Sequence, residues 1–172
     1  MELRPAKQMP QLDHLRRIRL WLSIFIAGLV LSGVTAFPLQ TELDWLVSVL
    51  NSDTLRQLAQ TSHLLPWIER VDQALTQTNA RFPFLAYGTD WLAFAHLVIA
   101  VAFVGPLLDP VRNKWLIVFG LVACAGVIPL AMIAGAIRGI PFAWRLIDCS
   151  FGVFGSVPLL VCWRSIMEIE RA

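Results

Sequence analysis

The chain has 172 residues, 57% of them hydrophobic and only 15% charged, with a mean hydropathy of +0.65. A water-soluble domain carries about 25% charged and 45–50% apolar residues, so the composition excludes a soluble globule and points to an integral membrane protein. The formal net charge of +2 contains no basic run of the kind that binds nucleic acid, and Cys124, Cys149 and Cys162 fall in apolar stretches with no CxxC pair or zinc-type grouping.

Residues 1–19 form a basic N-terminus carrying Arg4, Lys7, Arg16, Arg17 and Arg19. The run LWLSIFIAGLVLSGVTAF at 20–37 then predicts a first span, near the ~20 apolar residues a helix needs to cross a bilayer core. The same stretch, ending in Val34 and Ala36, could be read as a cleavable signal peptide, but its apolar run exceeds the usual 7–15 residues of such a region, which favours an uncleaved signal-anchor.

Residues 38–88 are too long for a plain loop and carry helical periodicity. Leu43, Leu46, Val47 and Leu50 make one stripe, with Thr41 and Asp44 resembling a capping box at its start. A second short helix is predicted from Asp53 to about Ser62. A third has Pro66 in its first turn and Trp67, Ile68, Val71 and Leu75 at helical spacing. Each has one apolar stripe, so this segment caps the bundle or lies in the headgroup plane. His63 reads as a solvated loop residue.

Three further spans follow: 89–108, 115–137 and 140–162, joined by the cytoplasmic loop 109–114 and the outer turn 138–139. The runs are continuously apolar rather than alternating, which requires helices and not barrel strands. In the 109–114 loop, Asp109–Pro110 makes a turn, Asp109 can pair with Arg112, and Lys114 anchors the cytoplasmic face. Lysine and arginine sit before the first span, in this loop, and in the 163–172 tail, whereas 38–88 is net acidic, so both termini are predicted to be cytoplasmic. Trp21, Trp115 and Trp163 at one border and Trp91 and Trp144 at the other match the aromatic belts. The fold expected is therefore an all-α integral membrane protein with four transmembrane helices, N-in and C-in, and a small extracytoplasmic helical segment. The expected location is a bacterial inner (plasma) membrane.

Ionisable residues inside spans cost roughly 2.5–3.5 kcal/mol each near a helix centre and mark candidate sites. His96 follows Asp90 by six residues, and Asp148 follows Pro141 by seven. At about 1.5 Å per residue both lie roughly 9–10 Å below the outer surface. Arg145 sits one turn shallower and Arg138 at the rim, so Asp90, His96, Arg138, Arg145 and Asp148 share the outer third of the bilayer. Arg145 and Asp148 are neighbours on one helix and able to pair. Cys149, Gly152, Gly155 and Ser156 below them form a small-residue surface for close helix approach. Asp90 points about 120° away from His96 on an ideal helix.

This constellation predicts an outward-facing polar pocket between the second and fourth spans, binding or relaying a small ligand, ion or proton. Histidine would supply reversible protonation and arginine a grip on an anionic group. The opposing structural reading has Arg145 and Asp148 neutralising each other, with His96 bonded to a neighbouring carbonyl. An accessory or assembly subunit is a second possibility, with small residues on spans one and three as contact faces and a protein partner or second copy docked on them. An intramembrane enzyme acting on a lipid headgroup is a third, although no HExxH, GxSxG or paired-aspartate signature supports it. The aspartate motifs of small membrane peptidases and the cysteine pairs of disulfide-forming quinone oxidases are also missing. The sequence does not identify a cofactor; a metal site needs about three ligands, which His96, Asp148, Asp90 and Cys149 could in principle furnish, but no metal is assigned, and the bilayer itself is a partner.

Overall fold

The computed structural model describes residues 8–52 and 64–171. Helix α1 spans Gln8–Thr35, α2 Leu39–Leu50, α3 Leu64–Arg81, α4 Tyr87–Ala102, α5 Val104–Leu108, α6 Lys114–Ile137 and α7 Phe142–Arg171, with a 3₁₀ turn at Pro83–Ala86. No strand occurs among the described residues, and four helical stretches are long and apolar enough to cross a membrane.

Prolines and glycines set most of the borders. Pro38 follows the last turn of α1, where Ala36 and Phe37 donate to the Ser32 and Val34 carbonyls, and α2 begins one residue later. The expected capping box at Thr41 is therefore not formed. Proline at 38 already fixes the backbone entry, its carbonyl accepts from the Glu42 N–H, and Gln40 rather than a cap occupies Asp44. Pro66 sits in the first turn of α3, as its sequence position predicts. The expected helix at 53–62 and His63 lie outside the described residues.

The second span begins at Tyr87, two residues earlier than 89, and is interrupted at Phe103. Pro106 has no N–H for the Ala102 carbonyl, so the helical ladder loses a rung there. The following turn is closed by local bonds. Arg112 donates its backbone N–H, not its guanidinium, to Asp109 Oδ1 at 3.1 Å, and Asn113 Nδ2 donates to the Gly105 and Asp109 carbonyls. Helix α6 ends in a left-handed glycine, Gly139 at φ +69°. The Ile140 N–H returns to the Gly135 carbonyl at 2.9 Å and Gly139 to Ala136, satisfying two orphan carbonyls.

Helices α1 and α7 both extend beyond the expected spans at the end that carries the termini. α7 continues past 162 to Arg171 because Ser165 and Ile166 remain buried there. His14 of α1 meets Glu168 at 3.1 Å and Lys114 of α6 meets Glu170 at 2.6 Å, so three helices gather at this end.

Packing follows a row rather than a closed ring. α1 lies between α4 and α7, and α6 packs along the far side of α7. The fully buried cluster of Ile18, Leu22, Phe103, Ile117, Leu159, Cys162 and Ile166 seals the end bearing the termini. Phe103 reaches across from the α4–α5 break to sit 4.8 Å from the Phe25 ring, and a Cβ at Gly120 would meet both Phe103 and Leu159.

Candidate functional site

Toward the opposite end, which carries α2 and α3, small residues bring α1 close to α4 and α7 close to α6. Gly33 of α1 lies against the Ala93 carbonyl and the Leu97 side chain of α4, where an added Cβ would come within 2.9 Å. Gly152 of α7 lies against the Cys124 carbonyl of α6, and the Cys149 thiol faces the Ile128 carbonyl at 4.0 Å. These small residues draw α1 onto α4 and α7 onto α6. On α7, a Cβ added at Gly155 would lie 3.8 Å from the Phe25 ring of α1. One turn further, Phe151 on the same side is 69% exposed, and Ser32 of α1 is exposed as well.

Helical register places the candidate residues. His96 is two turns from the buried Phe103, on the same face of α4. Asp148 is five turns from the buried Ile166, on the side of α7 that lower down packs against α1. Cys162 donates its thiol to the Ile18 carbonyl at 3.6 Å, and Asp148 is as far along α7 from Cys162 as Ser32 is along α1 from Ile18. Ser32 precedes Gly33, which touches Ala93 and Leu97 on either side of His96. Ser32, His96 and Asp148 therefore stand at one height above the sealed cluster.

The five residues do not form one cluster. α4 and α7 share no extended contact, because α1 packs against both, so the expected direct apposition of the second and fourth spans is not found. The expected Arg145–Asp148 ion pair is not made. Arg145 turns toward α6, where its stem fills the space above Gly135 and Nη1 donates to the Met132 carbonyl at 3.3 Å. Its guanidinium carbon lies 5.4 Å from the Phe142 ring centre. The azimuth explains this: position 145 faces the α6 seam, while 148 is rotated by 60° toward α1 on an ideal helix. A cation near the last turns of α6 also meets the negative end of that helix dipole.

His96 Nδ1 donates to the Leu92 carbonyl of its own helix at 2.8 Å, a bond that fixes the ring and leaves Nε2 uncommitted. Asp148 is half-buried and makes no hydrogen bond or ion pair among the described residues. Arg138 is exposed in the turn after α6. Asp90 is rotated away from His96 and instead lines a small cavity of about 110 Å³ with Gln40, Leu75, Asn79 and Thr89. Among the described residues no three or more histidine, cysteine or carboxylate groups converge as metal ligands would.

Sequence reasoning missed Ser32, Gln40 and Asn79. Gln40 reaches Asp72 and Thr76, far away in the chain, and no local pattern announces that contact. No family model, curated protein or solved structure matches the chain.

Proposed function

We propose that this small polytopic membrane protein uses the cleft between the α1–α4 and α6–α7 pairs to bind a proton or a small hydrogen-bond-donating ligand from the extracytoplasmic side. The observation that carries this reading is the half-buried, unpartnered Asp148 carboxylate at the height of His96, above a fully buried apolar floor. A carboxylate in an apolar span is costly without a partner, and a proton or a donor-bearing ligand supplies one. With Arg145 engaged by α6, the proposed cleft would offer Ser32, His96 and Asp148, a set richer in acceptors than in fixed cations. That balance favours a proton or donor over an anion.

Binding is favoured over conduction for a second reason. A relay through the membrane needs polar groups on both halves of the path, and here Ile18, Leu22, Phe103 and Leu159 fill the lower half. The test uses a cysteine-free background. Asp148→Cys should react with a membrane-impermeant thiol reagent added from outside, and Leu159→Cys should not. Asp148→Asn and His96→Ala should accumulate in the membrane at wild-type levels, since the groups serve a ligand and not the fold. An unreactive Cys at 148, or loss of both single variants from the membrane, overturns the proposal.

A further inference from the structure

A second site lies outside the cleft, where the end of α6 turns into α7. Between Lys114 and Asp148 the chain carries no acidic residue, and the charges there are Arg138 and Arg145. The turn satisfies its own backbone: the Arg138, Gly139 and Ile140 N–H groups return to the Ala134, Ala136 and Gly135 carbonyls. The Arg138 side chain is exposed and makes no ion pair among the described residues.

The nitrogens of the Arg145 guanidinium meet different surroundings. Nε is enclosed by protein and offers nothing to a ligand. Nη1 donates to the Met132 carbonyl at 3.3 Å, and the Phe142 ring centre lies 5.4 Å from the guanidinium carbon. Nη2 makes no hydrogen bond among the described residues and is not enclosed, so its two donors are open to the surroundings. No carboxylate pairs with this cation. The described ion pairs, His14–Glu168 and Lys114–Glu170, both lie at the end of the bundle that carries the termini.

The two arginines are neighbours. The Arg145 stem lies over Gly135, with Cδ 2.6 Å from the place a Cβ there would take. Arg138 follows Gly135 by three residues, and such positions on a helix stand about 5–6 Å apart.

We propose that Arg138 and Arg145 together hold a phosphate group at the border of the bilayer. A tetrahedral phosphate presents oxygens on several sides and meets two guanidinium groups at once, whereas a planar carboxylate is matched by a single fork. The turn sits where the apolar core of about 30 Å gives way to headgroups, and a long arginine stem reaches that layer from the first turn of α7. The Phe142 ring steadies the Arg145 guanidinium, which lowers the freedom lost on binding. The phosphate can belong to a phospholipid headgroup or be dissolved in the water outside. Loose counter-ions are the competing occupant.

The full-length protein in a phosphate-free detergent is melted against dihexanoyl phosphatidylglycerol and, separately, against sodium phosphate. Dihexanoylglycerol, with the same chains and no phosphate, is the lipid control, and sodium chloride of equal ionic strength is the salt control. A saturable rise in melting temperature with phosphatidylglycerol, weakened roughly tenfold by Arg138→Gln, supports the site and assigns a lipid headgroup. A saturable rise with sodium phosphate that is equally sensitive to Arg138→Gln supports it and assigns dissolved phosphate. Arg138 lies in an exposed turn, so this variant keeps the fold. Arg145→Lys retains the charge but gives up the fork and should weaken the same response. His96→Ala should leave it unchanged, which keeps this site separate from the cleft. Responses no larger than those to the two controls, or an unchanged Arg138→Gln variant, leave only loose counter-ions and overturn the proposal.

Discussion

Replacing Gly152 by alanine tests the seam that aims Asp148 toward the cleft. A Cβ at this position runs into the Cys124 carbonyl oxygen and also comes to 3.5 Å from Val127 Cβ. The obstructing atom is backbone and cannot rotate aside, so α6 and α7 must move apart by on the order of 1 Å to restore normal contact distances. Overpacking of this kind costs about 1–3 kcal/mol. Gly126→Ala on α6 is the matched control, because a Cβ there meets nothing within 4 Å. Both substitutions gain the same helix propensity, roughly 0.5–1 kcal/mol, so their difference isolates the clash. Reversible unfolding in mixed micelles, followed by tryptophan fluorescence, gives that difference directly. A gap below about 0.5 kcal/mol, the usual scatter of neutral substitutions, would refute the close α6–α7 approach.

Phe103→Ala should destabilise by about 3–5 kcal/mol in the same assay, since this ring is fully buried and joins α4 to α1, α6 and α7. Arg145→Met keeps the stem over Gly135 and removes one bond to Met132; the expected cost is about 1.5–3 kcal/mol at most. A loss of about 3–5 kcal/mol would instead indicate a broken buried ion pair and would restore the Asp148 pairing. Reporter fusions test orientation: green fluorescent protein after Arg171 should fluoresce, and alkaline phosphatase inserted after Ser52 should be active. The reverse pattern would invert the topology derived from the lysine and arginine bias.

The spans were legible because continuous apolarity is a one-dimensional property, read without knowing which helix neighbours which. Depth is counted in the same one-dimensional way: from Asp90 and Pro141 the count gives His96 and Asp148 one expected height, and the register through Gly33 and Cys162 agrees with that count without measuring it. Azimuth and neighbourhood were not. Nothing local to Arg145 reveals that Gly135 leaves room for its stem, so the nearer carboxylate looked like the natural partner. Likewise α1 rather than α7 flanks α4 because Gly33 admits the Ala93 carbonyl, a fit decided between distant segments. The α7 extension past 162 depends on burial of Ser165 and Ile166 by the rest of the fold, which hydropathy alone does not register.

Concentrating the fully buried side chains at one end of the bundle has a mechanical consequence. From Phe25, which meets Phe103 beside that cluster, α1 runs on for about 15 Å to Thr35. A tilt of about 5° there moves the tip of α1 by roughly 1 Å, while the aromatic contact itself shifts hardly at all. Lateral pressure in the outer leaflet acts on that tip with the full leverage of this length. If the proposed cleft forms there, the space around Asp148 follows the lipid that surrounds it.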